Sequence, residues 1–249
     1  MLKKLLSTFL LSGCLTTFAN ATIVEFQTSQ GNFQVNLFDQ TTPKTVDNFL
    51  TYVDEEHYTN SVIHRVAPNF VVQGGGFSFD GEWPLVAKET NPAVVNEPIY
   101  SNVKGTIAMA KVGGQPNSAT NQWFFNVNNN ASNLDLQNNG FTVFGQVIGD
   151  GMTIVEKIAG MSLCQDIPMV DFSSENCSDL TTPGLENFVV INRIVVIDSS
   201  EVTDSGLSPV KNTLINIDET QDSGSSGGSI FWLSIFSICL LSLRKLAIK

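Results

Sequence analysis

Between Thr22 and Asp198 the sequence consists mainly of short apolar or alternating runs, separated by Gly, Asn, Asp and Pro. Runs of about four to eight residues that are bounded by turn residues are typical of β-strands. The pattern predicts strands at residues 23–26, 33–37, 62–66, 70–74, 105–110, 123–127, 142–147 and 188–197. Short strands in this number bury their apolar faces either by closing into a barrel or by packing as a sandwich.

Two segments show helical periodicity instead. Thr42 and Pro43 form a helix start, and apolar residues then recur at helical spacing at Val46, Phe49, Leu50 and Val53. A second helix is predicted from Met152 to Ala159, with Gly160 ending it. We expect these two helices to cover the two ends of a barrel.

Charge and motif content exclude several classes of function. The net charge is −11, and the basic residues of both terminal segments make the part between them more acidic still. An acidic surface repels phosphate backbones, so we expect no nucleic-acid partner. The chain has no Walker loop or HExxH motif, and no paired CxxC accompanies His57 and His64. We therefore expect no metal and no cofactor.

Residues 1–21 have the organisation of a secretory signal peptide. Two lysines precede an apolar run, and Ala19-Asn20-Ala21 provides a small-x-small cleavage site. The segment 11–14 also resembles a lipoprotein box, in which Cys14 would be lipidated and become the mature N-terminus. We favour cleavage after Ala21, because strand-forming sequence begins directly after it.

The C-terminal part predicts membrane contact. The exported domain, residues 22–198, is followed by an acidic Ser/Gly-rich linker (199–228) and by a short hydrophobic helix with a basic end (229–249). The apolar run 230–243 would rise about 21 Å, less than the roughly 30 Å hydrocarbon core. The tail resembles the Gly-Gly sorting signals of Gram-negative bacteria, which a rhomboid-type protease removes; the alternative is an uncleaved anchor. We expect a periplasmic or cell-surface protein with transient or permanent membrane attachment.

The cysteines predict one disulfide. Cys14 and Cys239 lie in the terminal segments, which leaves Cys164 and Cys177 in the exported body. In an oxidising compartment this pair can form a bridge, which would restrain the unfolded chain by roughly 3 kcal/mol. The alternative is two free thiols.

The segment 63–77 stands out, because it reads IHRVAPNFVVQGGGF. Further blocks follow in order at 105–111, 122–125, 134–135 and 144–145. Over about residues 22–197 the sequence resembles the cyclophilin family of peptidyl-prolyl cis-trans isomerases. The resemblance implies a mainly β fold, an eight-stranded antiparallel closed barrel capped by two α-helices. It also implies an enzyme that isomerises X-Pro bonds without a cofactor. Together with the export signal, this predicts that the protein acts on proline-containing segments of exported proteins and so assists their folding, and we expect it to be a monomer.

The chemistry of the family suits the residue types. X-Pro isomerisation has a barrier near 20 kcal/mol, because rotation breaks amide resonance. A guanidinium that donates a hydrogen bond to the prolyl nitrogen favours the twisted state over the planar ground states. The resemblance implies that Arg65 has this role and that Gln73 orients it. The substrate-binding residues that it implies are Phe70, Met109, Ala110, Lys111, Phe124, Leu134 and Phe141, with the backbone of Ala110 and Lys111 holding the substrate chain.

Some features depart from the family pattern. Asn133 stands where many members have an aromatic residue, and Phe141 where many have His or Tyr. Residues 163–186 form an insertion to which the sequence assigns no role. Two further hypotheses are a module that binds proline segments without turnover and a surface protein that only uses the scaffold. The retained Arg65 and Gln73 argue against the binding module.

Overall fold

The structure is a computed structural model that describes residues 22–171, Cys177, 183–200 and 207–215. The predicted signal peptide (1–21) and the predicted hydrophobic tail (229–249) lie outside the described residues. Within the described part of the chain, no helix is both long and apolar enough to cross a membrane.

The described residues form strands that pair antiparallel throughout. The strands are β1 (Ile23–Thr28), β2 (Gly31–Leu37), β3 (Ser61–Val62), β4 (Arg65–Ala67), β5 (Val71–Gly74), β6 (Phe77–Ser78), β7 (Val86–Ala87), β8 (Thr106–Met109), β9 (Trp123–Asn126), β10 (Val143–Ile148), β11 (Leu163–Cys164), β12 (Ile167–Pro168) and β13 (Val190–Asp198). One 11-stranded sheet has the order β4-β5-β9-β8-β10-β2-β1-β13-β3-β6-β7, and β11 and β12 form a separate hairpin.

The sheet is curled, but the predicted eight-stranded closed barrel is wrong. The predicted strand 62–66 is divided into β3 and β4, because the residues between them bond to two different partners. Ile63 N donates to Val189 O, whereas His64 N donates to Gln73 O. At the edge of the sheet, Val66 N on β4 donates to Asp166 O at 2.6 Å, so β4 bonds there to the turn between β11 and β12.

Both predicted helices are present. The helices are α1 (Pro43–Asp54), α2 (Ala131–Leu134) and α3 (Met152–Ala159), of which the single turn of α2 was not predicted. Proline at the first position of α1 has no N–H to leave unsatisfied, which favours a helix start there. The buried side of α1 includes Val46, Phe49 and Val53, as the spacing predicts, whereas Leu50 is only partly buried.

The core is built around aromatic rings. Phe26 is fully buried, and its ring centroid lies 5.1 Å from that of Phe33, 5.2 Å from Trp123 and 5.3 Å from Phe125. Phe49 of α1 lies 6.2 Å away. Since alternate residues of a strand point to opposite faces, burial of Trp123 and Phe125 places the residue between them on the outer face of β9.

Part of the predicted linker is packed against the body of the protein. Lys211 forms an antiparallel bridge with Tyr100, and Ser101 N donates to Val210 O at 2.8 Å. Residues 207–215 are therefore a docked segment, in contrast to the expectation of a linker throughout 199–228.

We expect Phe26→Ala to lower the free energy of unfolding by about 3–5 kcal/mol, because the Phe26 ring packs against aromatic residues of three other elements. Ile197→Ala on β13 is the control, since Ile197 is 46% exposed and its truncation should cost about 1 kcal/mol or less. Urea unfolding followed by circular dichroism measures both. Equal losses in the two variants would contradict this description of the core.

Candidate active site

Arg65 and Gln73 are direct cross-strand neighbours on β4 and β5. The guanidinium Nη1 of Arg65 donates to Gln73 Oε1 at 3.3 Å, and Gln73 Nε2 donates to Gln122 Oε1 at 2.9 Å. The Arg65 side chain is 26% exposed, so it is accessible without being fully solvated. These bonds connect the arginine to the residue before β9 and restrict its orientation.

An apolar cluster lies beside this pair. Phe124 on β9 is the cross-strand partner of Gln73 on one side and of Ala108 on the other. Its ring meets that of Phe141 edge to face, with centroids 5.8 Å apart. The predicted site residues that belong to this cluster or pack against it are Phe70, Ala110, Phe124, Leu134 and Phe141. The structure thus gathers the predicted proline pocket on the outer face of the sheet, next to Arg65.

Met109 does not belong to this cluster. Its side chain is fully buried in the central core that contains Phe26 and Trp123. Alternation along β8 explains the difference, because Ala108 and Ala110 face the pocket cluster and the residue between them must face the other way. The assignment of Met109 to the pocket from sequence was wrong.

Lys111 contacts the pocket through its side chain. Its Nζ donates to Asn138 O at 2.9 Å and to Gly140 O at 2.6 Å, and lies 4.8 Å from the centroid of the Phe141 ring. Burial lowers the pKa of Lys111 to about 8. The side chain therefore holds the loop that carries Phe141, whereas the sequence led us to expect a role for the backbone alone.

Asp166 is a site residue that the sequence analysis missed. Its Oδ2 lies 3.8 Å from Nε of Arg65, and its side chain is 62% exposed. Burial lowers the pKa of Arg65, and the charge of Asp166 acts in the opposite direction. Asp166 lies between β11 and β12, and the predicted disulfide Cys164–Cys177 is present beside it. In the sequence, only the position of Asp166 close to Cys164 indicated that this part of the insertion is held in place.

Two comparisons of sequence bear on the identity of this site. The sequence model described as "Cyclophilin type peptidyl-prolyl cis-trans isomerase/CLD" matches residues 23–178. Peptidyl-prolyl cis-trans isomerase B of Escherichia coli (strain K12) is 39% identical over 165 residues, which cover 62% of this chain and 97% of that protein. The chain belongs to the cyclophilin-type peptidyl-prolyl cis-trans isomerase family. It is an enzyme of that class.

Other relatives agree with this assignment. Peptidyl-prolyl cis-trans isomerase A of Dickeya dadantii (strain 3937) is 41% identical to this isomerase over 169 residues, covering 64% of this chain and 85% of that protein. A crystal structure of a cyclophilin-type isomerase from Cryptosporidium parvum has a TM-score of 0.51 at 21% identity and covers 72% of this chain and 98% of that one. The structural likeness shows the cyclophilin fold.

Other parts of the described residues do not form a comparable site in this isomerase. They contain no group of three or more His, Cys, Asp or Glu side chains that could hold a metal ion. A cavity of about 280 Å³ between residues 53–59 and β13 is lined by none of the predicted site residues.

His64, next to Arg65, predicts a pH dependence of stability. Burial lowers its pKa from 6.5 to about 4, although a hydrogen bond to Gln122 acts in the other direction. Between these values the unfolded chain binds a proton that the folded chain does not, so the contribution to stability is complete above pH 6.5 and is lost as the pH falls toward 4. Urea unfolding at pH 7 and at pH 4.5 measures how much the free energy of unfolding falls between these two values. We expect this fall to be smaller in His64→Phe than in the parent. Equal losses would contradict a buried neutral imidazole.

Proposed function

We propose that this isomerase acts on X-Pro bonds of exported proteins and assists their folding outside the cytoplasm. The observation that carries the catalytic part is the Arg65 guanidinium, which Gln73 holds beside the apolar cluster around Phe124. This arrangement fits a cyclic apolar side chain that has a peptide nitrogen next to it. One of the Cryptosporidium parvum structures was determined in the presence of the dipeptide Ala-Pro, which supports the same class of substrate here.

In the proposed mechanism the prolyl ring lies against Phe124, Leu134 and Phe70, which fixes one side of the rotating bond. As the bond twists, the prolyl nitrogen becomes pyramidal, and the lone pair that a planar amide delocalises into its carbonyl group becomes localised on nitrogen. Arg65 donates a hydrogen bond to this lone pair and so stabilises the transition state more than either ground state. Gln73 keeps the guanidinium in place and orients the substrate carbonyl.

A contact at the start of the described residues supports export with cleavage after Ala21. Thr22 N donates to Asp39 Oδ2 at 2.9 Å, and Thr22 Oγ1 donates to Asp39 Oδ1 at 2.7 Å. After cleavage the Thr22 nitrogen would be a charged ammonium, and its bond to the carboxylate would become charge-assisted. In the proposed pathway the C-terminal tail then attaches the protein to the membrane until a protease removes it.

We expect Arg65→Ala to lower kcat/KM for cis-to-trans isomerisation of an Ala-Pro peptide by about 10²-fold or more, because the transition state loses its donor. Arg65→Lys retains the charge but not the planar fork and should recover only part of the activity. Arg193→Ala is the control, since Arg193 is an exposed arginine on β13. If Arg65→Ala binds the peptide and isomerises it as fast as the parent, Arg65 is not the catalytic group. A parent that binds the peptide without accelerating isomerisation would favour the binding module.

We expect the mature protein to begin at Thr22, which mass spectrometry of the N-terminal peptide from a periplasmic or membrane fraction would detect. Cys14→Ser should leave this terminus unchanged. A lipid-modified Cys14 as the first residue, lost in Cys14→Ser, would overturn cleavage after Ala21 and assign the lipoprotein route.

A further inference from the structure

The loop that carries Phe141 forms one rim of the pocket, and we call residues 135–141 the rim loop. From the pocket side, Lys111 Nζ donates to two carbonyl groups of the rim loop, and Asn138 Nδ2 donates back to Val112 O at 2.9 Å. Gly140 N donates to Gln137 O within the rim loop, and Phe141 N donates to Leu134 O just before it. These bonds hold one side of the rim loop, and Asn96 Nδ2 also donates to Asn139 O at 2.8 Å and to Gly140 O at 2.9 Å.

Buried polar contacts connect the rim loop to the segment that runs behind it. Asp135 is only 1% exposed, and its carboxylate accepts hydrogen bonds from Ser101 Oγ, Asn102 N and Asn102 Nδ2. Asn102 Nδ2 also donates to Phe141 O at 3.1 Å. Because unpaired polar groups are costly when buried, these bonds make the position of the rim loop depend on the position of residues 99–102.

A docked segment after the sheet, residues 207–215, holds both parts from outside, and we call it the strap. Its main chain pairs with residues 99–101 through the bonds of Val210 O with Ser101 N and of Asn212 N with Ile99 O. The Asn212 side chain reaches the rim loop itself, since its Nδ2 donates to Asp135 O at 3.0 Å. Its Oδ1 accepts from Leu214 N at 2.9 Å, which keeps the amide oriented.

Packing at Gly140 shows how close these parts lie. A Cβ atom built on Gly140 would lie 2.9 Å from Asp135 O, 2.9 Å from Pro98 Cβ and 3.3 Å from Asn212 Nδ2. The rim loop, the segment behind it and the strap therefore meet without space for a methyl group. Farther along, Leu207 of the strap packs against the apolar cluster that contains Phe124 and Leu134.

We propose that the strap is a positioning element for the substrate pocket and that Asn212 is its main positioning residue. The strap holds the rim loop from outside while Lys111 holds it from inside, so that Leu134 and Phe141 are in place before the proline ring binds. Preorganisation of this kind lowers the ordering cost of binding without touching the reacting bond. The inference rests on the proposed substrate site, because it assigns the strap to the rim of that pocket.

The test uses the full chain with Asn212→Ala and Asn212→Asp. Asn212→Ala removes both side-chain bonds, whereas Asn212→Asp retains the acceptor for Leu214 N and replaces the donor to Asp135 O by a carboxylate oxygen, which can only accept. Thr213→Ala, at an exposed strap position, is the matched control. For both Asn212 variants we expect KM for an Ala-Pro peptide to rise about fivefold, the effect of one hydrogen bond, with kcat within about twofold of the parent because Arg65 is untouched.

Amide hydrogen exchange at Gly140 and Phe141 provides a readout that does not depend on activity. Exchange should be faster in both Asn212 variants and unchanged in Thr213→Ala, at unchanged global stability. Faster exchange with an unchanged KM would overturn the positioning role. A rise in KM confined to Asn212→Ala would overturn it as well, because the rise would then come from loss of the Leu214 bond. If the parent does not isomerise the peptide, the proposed function fails, and exchange still decides whether the strap holds the rim loop.

Discussion

The packing of Trp123 and Phe125 against Phe26 is the interaction on which the site depends. These rings fix the inner face of β9 and thereby turn Phe124 to the outer face, opposite Gln73. Because side chains alternate strictly along a strand, a slip of one residue would place Phe124 in the core and an indole in the pocket. The aromatic core therefore stabilises the fold and sets the composition of the substrate surface at the same time.

Around this rigid sheet, the polar parts of the site are held by segments that come from distant parts of the chain. Gln122 holds Gln73, which in turn bonds to Arg65. The β11–β12 hairpin contributes Asp166 on the other side of Arg65. Several partners hold the guanidinium in one orientation before the substrate binds. Less conformational freedom of the side chain is then lost on binding, so the entropic cost is smaller.

The sequence predicted well those features that depend on local periodicity or on a continuous motif. The β1–β2 hairpin and the helices α1 and α3 follow from alternation, turn residues and helical spacing. The pairing of Arg65 with Gln73 follows from a motif that folds back on itself within nine residues. Met109 was assigned wrongly although the same alternation rule applies to it, because the family motif was used there without asking which face of β8 each residue occupies.

The family, the mainly β architecture, the disulfide pair and most residues of the apolar cluster around Phe124 could be predicted from the sequence, because they follow from local alternation, from the cysteine count and from the family motif. Three features became visible only in the folded chain: the sheet is not a closed eight-stranded barrel, Asp166 lies next to Arg65, and residues 207–215 dock behind the pocket. Each of these depends on main-chain bonds between segments far apart in the chain, such as Val66 N to Asp166 O and Asn212 N to Ile99 O. Nearly every residue has the same main-chain N–H and C=O groups. The pattern of side chains therefore does not indicate which distant segment a given main-chain group will bond.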